Sequence, residues 1–440
     1  MASIPQVARA MISILKEYAT KVERETGFVE RASKMGGAEF VETLSFGWLS
    51  NPAATLEELA QSAAAVGVRI SAQGLDQRFC EAGAKLLKQV LDEAVTHLLH
   101  SEAAHIPILR RFSAVYLQDS SIIELPDVLQ DEWCGCGSGI GKGRAAVKIE
   151  VRLDLLHGAM VGPILESGRM NDAGSQIQKE PTEACSLRIA DLGYWSLEEM
   201  QRIAAAGGFW LTRLRGAVRI ALPGRKSQDL VHFLQQCASN RVECDVVISD
   251  HKPTPARLLA IRVPQEVADQ RRRKLREDAR RRQKTVSQRA LALADWTVLV
   301  TNVPADMLTL QEALVLLRSR WQIELLFKLW KSHGNLATWR SAKPWRILCE
   351  VYAKLLAMLL QHWLFLVEFW QFPNRSWIKA ARTVRQHALH LASAFGSIVS
   401  LEAAIAVINR CLVAGCRMNK RKSDRRTFQL LLDLDPEVLA

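Results

Sequence analysis

The segment LRSRWQIELLFKLWKSHG carries Arg320, Glu324, Lys328 and Lys331 in an otherwise largely apolar run. On a helix turning about 100° per residue these four fall at about −40°, 0°, +40° and −20°, a single narrow polar stripe. A helix that is apolar on most of its sides is expected to be buried. Burying a carboxylate among three cations is costly unless metal ions or phosphates complete the charge balance. The plainer reading is a Glu–Lys ladder at four-residue spacing, worth only a few tenths of a kcal/mol. Two further acids bear on that choice, because Asp119 follows the apolar run SAVYLQ and Asp191 follows SLRIA. A lone aspartate at a strand end is usually a turn residue. Three carboxylates brought together would repel one another and take up protons, unless divalent cations neutralised them and drew in a phosphate.

Charge is concentrated elsewhere too. RRRKLREDARRRQK, residues 271–284, has nine basic and two acidic side chains, which is +7 of the chain's formal +12. Arg271, Arg272, Arg273, Lys274, Arg280, Arg281 and Arg282 are its candidate phosphate contacts. About eight such contacts would give a salt slope near −7, against the plainer reading of a solvated helix face. Arg417, Lys420, Arg421, Lys422, Arg425 and Arg426 form a second, weaker cluster.

Near the N-terminus, Thr55 can cap LEELAQSAAAVG, Gly67 can end that helix, and Ser71 can cap a second helix through AQGLDQRFCEAG. If the second helix lay in a major groove, Gln73, Gln77 and Arg78 would meet bases or phosphates. The turn is longer than the tight DNA-binding version, so an ordinary helical hairpin competes with that reading. CGCGSGIGKGR imitates a phosphate loop, but Cys136 stands where the first glycine belongs and Gly143 replaces the magnesium-binding Ser or Thr. Cys134 and Cys136 lack a second ligand pair at zinc spacing.

These residues need elements to position them. The 440 residues suggest about three folding units, and a composition 49% hydrophobic and 24% charged is that of a globular protein. Apolar residues recur at helical spacing from Ala2 to about Arg110, strands alternate with turns after that, and helices return from Thr309. The expected divisions are a helical N-terminal DNA-end-binding domain over 1–110, a catalytic core over 111–215 and 294–345, a strand-rich basic insertion over 216–293, and a helical C-terminal region over 346–440. Residues 349–370 are apolar but contain Glu350, Lys354 and Glu368, so a buried helix is expected there rather than a membrane span. The nine scattered cysteines read as reduced thiols, and the N-terminus does not read as a secretory signal, so a cytoplasmic protein is expected. The basic excess favours a polyanionic partner.

Acids on a first strand, a fourth strand and a late helix match the ribonuclease-H-like order. The fold expected is α/β, a ribonuclease-H-like catalytic core interrupted by the strand-rich insertion and flanked by the helical regions. The sequence resembles the DDE transposases of bacterial insertion sequences, specifically family four, whose signature runs Tyr, two residues, Arg, three residues, Glu, six residues, Lys. Here the positions are Leu317, Arg320, Glu324 and Lys331, with leucine replacing the tyrosine. IADLGYWS, FWLTRLR and WTVLVTNVP extend the resemblance over roughly Phe112 to Arg346.

The resemblance implies that Asp119, Asp191 and Glu324 are catalytic and hold two Mg²⁺ ions about 4 Å apart, with Mn²⁺ able to substitute. Arg320, Lys328 and Lys331 would contact phosphates beside the scissile bond. Trp296 would stack a base drawn out of the duplex, or else simply pack the end of a strand. The implied activity is cleavage and joining of double-stranded DNA at transposon ends and target. It requires self-association in a synaptic complex and no membrane. A non-cutting DNA-binding regulator and a nuclease that hydrolyses without joining are the alternatives.

Overall fold

The computed structural model describes residues 2–31, 34–136, 144–249 and 251–434. The glycine-rich stretch 137–143, where the phosphate-loop comparison fell, lies outside them. The N-terminal region is helical: α1 (Ile4–Ile12) passes through a π turn (Ser13–Tyr18) into α2 (Ala19–Val22), followed by α3 (Gly37–Ser50), α4 (Leu56–Val66), α5 (Ala72–Asp76) and α6 (Glu81–Thr96). Thr55 and Glu58 form a capping box at the start of α4, and Gly67 ends it at φ +99°, a conformation that glycine adopts without Cβ strain. Ser71 caps the next helix as expected, but α5 is only five residues long, and Cys80 already stands at the N-cap of α6.

The middle of the chain builds one mixed sheet. Its strands are β1 (Val115–Leu125), β2 (Ala145–Asp154), β3 (Met160–Ser167) and β4 (Leu187–Ala190), then, after α7 (Leu197–Ala205), β5 (Phe209–Arg213), β6 (Arg219–Ala221) and β7 (Gln228–Asp229). After α8 (Leu230–Gln236) come β8 (Arg241–Ile248) and β9 (Thr254–Arg262), and after α9 (Gln265–Arg281) and α10 (Gln288–Leu293) comes β10 (Trp296–Thr301). The strand order is β3-β2-β1-β4-β5-β10-β9-β8-β6-β7. β3, β2 and β1 are antiparallel neighbours, β1, β4 and β5 run parallel, and β10 is antiparallel to both β5 and β9. Because β10 returns beside β5, the inserted strands extend the core sheet.

Both faces of β2 are covered, and all ten of its residues are buried. Val147, Ile149 and Val151 join the larger apolar core. Lys148, Glu150 and Arg152 point the other way into a polar layer: Lys148 Nζ lies 2.6 Å from Glu150 and 2.7 Å from Asp172. Arg152 reaches Gln118 and the Ile177 carbonyl, and burial pulls its guanidinium down to about 9. Alternating charge normally marks a solvent face. Here segments 172–202 cover that face and supply the partners that buried charges require.

The remaining helices are α11 (Leu310–Ser319), α12 (Trp321–Lys328), a π turn (Leu329–His333), α13 (Pro344–Leu366), α14 (Trp377–Ala394), α15 (Ile398–Gly415) and α16 (Thr427–Leu432). α13 is buried from Ile347 to Leu366 and packs on α3 and α6, so the two helical ends of the chain share one core. Its charges are paired: Lys354 Nζ donates to Glu350 at 2.7 Å and to the Asn335 and Thr338 carbonyls, both at 2.9 Å. α13 and α15 are long and apolar enough to cross a membrane by length and composition, but α13 lies wholly inside the protein. The nine cysteines are free thiols.

Candidate active site

Asp119 and Asp191 are brought together by strand register. β1 pairs with β4 in parallel up to Gln118 opposite Ala190, so Asp119 and Asp191 occupy the positions immediately after the last rung. β4 ends there, whereas β1 continues to Leu125 against β2, with Asp119 opposite Val151. Asp119 is therefore a mid-strand residue and not the end of its strand. The extension was hidden because Ser120, Ser121 and Glu124 break the apolar pattern while β2 still supplies the ladder. Asp119 shares the sheet face of Leu117 and Ile123, and its neighbour Ser120 faces the polar layer, donating to Asp172 at 3.0 Å.

Glu324 arrives from α12, which packs against β1. Arg320 sits at the junction of α11 and α12 and joins the acids: one guanidinium nitrogen lies 3.3 Å from Asp119 Oδ2, and another donates to Glu324 Oε1. Burial pushes the Asp119 carboxyl up to about 6. The Ser120 amide and Arg320 act in the opposite direction, while the charges of Asp191 and Glu324 add to the rise. Asp191 is exposed and Glu324 is half-buried. Among the described residues no three His, Cys, Asp or Glu side chains stand close enough together to share one metal ion. The guanidinium holds Asp119 and Glu324 as their counter-ion. The three acids offer only hard oxygen donors, which suit Mg²⁺ or Mn²⁺, so the donor chemistry fits a divalent cation.

The polar stripe is altered at its far end. The π turn over 329–333 changes the helical phase, and Lys331 Nζ donates at 2.7 Å to the Ile122 carbonyl on β1 instead of standing beside Glu324. Burial lowers the Lys331 ammonium below the usual range. Lys328 is exposed, and Leu317 lines a cavity beside Arg320.

The basic run divides into two kinds of residue along α9. Arg271 donates to the Trp296 carbonyl and to Thr297 Oγ1, each at 3.0 Å, and Arg272 pairs with Asp269 and Asp295. Those two tie the helix to β10. Arg273, Lys274, Arg280, Arg281 and Arg282 are exposed, with Arg281 paired to Asp278. Trp296 is 7% exposed in the smaller core, with the Arg262 guanidinium 5.1 Å from its ring centroid. In this conformation it packs the start of its strand. In the N-terminal region Gln77 is exposed, but Arg78 lies over the Phe28 ring at 4.7 Å and donates to the Met35 carbonyl. The polar layer of buried Lys148 and Glu150 with half-buried Asp172 was not anticipated from the sequence, and its signal was the alternation in VKIEVRLD.

The mixed α/β sheet with helical flanks is consistent with a DDE transposase domain, and the chain belongs to the transposase DDE domain family, which it matches over residues 110–360. It is 26% identical over 383 residues to the transposase of insertion sequence element IS231F from Bacillus thuringiensis subsp. israelensis, covering 81% of this chain and 79% of that protein. The IS231B transposase of Bacillus thuringiensis subsp. berliner is 26% identical over 374 residues, covering 79% and 76%. The IS1151 transposase of Clostridium perfringens is 23% identical over 365 residues, covering 77% and 76%.

Proposed function

We propose that this chain is a family-four type insertion-sequence transposase that cleaves DNA at transposon ends and joins it to a target. Asp119, Asp191 and Glu324 would be its catalytic acids on a ribonuclease-H-like core. The observation that carries the reading is the meeting of Asp119, immediately after the last β1–β4 rung, with Glu324 through Arg320. The five-strand part of the sheet, β3-β2-β1-β4-β5, with three antiparallel and three parallel members sharing β1, supports the core assignment.

The three carboxylates would hold two Mg²⁺ ions, or Mn²⁺, whose chemistry is to activate an attacking oxygen and stabilise the leaving one. Arg320 holds Asp119 and Glu324 in place and offers a planar fork to a phosphate that displaces them. Lys328 adds an exposed point charge on the same helix, and Lys331 braces the open edge of β1. Arg273, Lys274, Arg280 and Arg281 of α9 and Arg282 at its C-cap supply phosphate contacts, and Gln77 is an exposed contact of the N-terminal helices. Synapsis requires self-association, and the protein acts in the cytoplasm at nucleoid DNA.

The test uses the full chain with DNA bearing the element's own inverted ends. Magnesium-dependent nicking and the joining of precut ends to a second duplex are expected. Binding without breakage would favour a regulator, and hydrolysis without joining a nuclease.

A further inference from the structure

A basic wall adjoins the site above and shares Arg320 with it. α16 packs on α11, and the segment leading into it closes a cavity of about 600 Å³ whose apolar lining includes Leu317, Leu325 and Phe428. Arg213, Arg318, Arg320, Arg421, Arg425 and Arg426 also line it, against Asp424 as the lining carboxylate among the described residues. Arg425 is drawn partly away by Asp433, and Arg426 has a buried Nε with no hydrogen-bond partner. Arg320 connects this cavity to Asp119 and Glu324. Arg213 also lines a second cavity of about 560 Å³, whose walls include Lys274 of α9 and Trp296. The two cavities thus adjoin at one side chain, and cations run from α9 past Arg213 and Arg320 to the C-terminal segment.

So many guanidinium groups around one cavity repel each other and concentrate anions. A phosphodiester strand fits them, presenting one charge about every 3.4 Å and oxygens suited to arginine's paired donors, while the apolar lining accepts sugar or base. We propose that residues 417–426 and α16 form a clamp that holds the backbone of a DNA strand leaving the Asp119–Glu324 site, with Arg318 and Arg421 on its phosphates. This rests on the DNA-processing reading above and assigns the C-terminal segment a place in it.

The test compares full-length wild type with R318A/R421A, both exposed positions, for binding of a labelled random-sequence duplex across a salt series. The log–log salt slope is expected to shrink by about 1.5 to 2, with R318K/R421K restoring it. Thermal melting checks that each variant is folded. An α9 variant, R273A/R280A, separates the two claims. A slope reduced by the α9 changes but unmoved by a folded R318A/R421A overturns the clamp alone. A wild-type chain that binds no DNA overturns the clamp and the DNA-processing reading together.

Discussion

Arg320 holds two carboxylates with one guanidinium, which requires the planar fork of arginine. R320K keeps the charge but loses one of the two charge-assisted bonds. Strand cleavage by R320K should fall about ten- to a hundredfold, the kinetic equivalent of roughly 1.5–3 kcal/mol, with DNA affinity nearly unchanged. Residue identity alone does not sort the arginines of α9. Arg271 is bonded to β10 and Arg273 faces water, so R271A should lower unfolding stability by about 1–3 kcal/mol. R273A should leave stability unchanged and reduce the salt slope of DNA binding by about 0.9. Equal behaviour of the two variants in denaturant and salt titrations would contradict this division.

At the scale of elements, register decides what the site can be. Apolar alternation in SAVYLQ and SLRIA made β1 and β4 legible, and with them the two aspartates. Pairing is a long-range property, so the continuation of β1 past Asp119 depended on β2 and could not be read from Ser120 and Ser121. The stripe from Arg320 to Lys331 was legible as a helix, but the π turn that carries Lys331 to the Ile122 carbonyl has no periodic signature. α5 stopped short for a related reason: Arg78 lies on Phe28 and bonds to Met35, distant partners that outweigh local helix propensity. The β2–β3 turn shows the same dependence on partners. Gly158 has φ +73°, and a Cβ there would meet Leu366 and Trp370 at 2.6 Å. G158A should therefore destabilise the protein by about 2–4 kcal/mol, read as a lower denaturant midpoint.

For the whole molecule, the two helical ends close on one core, and Glu42 on α3 is buried in it at 5% exposure. Burial pushes its carboxyl up to about 8, partly opposed by Lys16. The folded value lies above the ordinary 4.5, so protonation favours the folded state. That contribution is complete below pH 4.5 and is lost as pH rises through 8. E42Q stays neutral, so its stability advantage over wild type should grow across this window by several kcal/mol at most, each pKa unit being worth about 1.4 kcal/mol. An advantage independent of pH in urea titrations would contradict the burial account. The shared core packs the N-terminal and C-terminal helices together, and on the function proposed above three acids distant in the chain would act as a unit. The most direct measurement of that claim is single-turnover cleavage of end-bearing DNA by D119N, D191N and E324Q. Each should lose about a thousandfold or more in rate while binding the same DNA and melting as wild type does. Full cleavage by any one of the three would contradict the account.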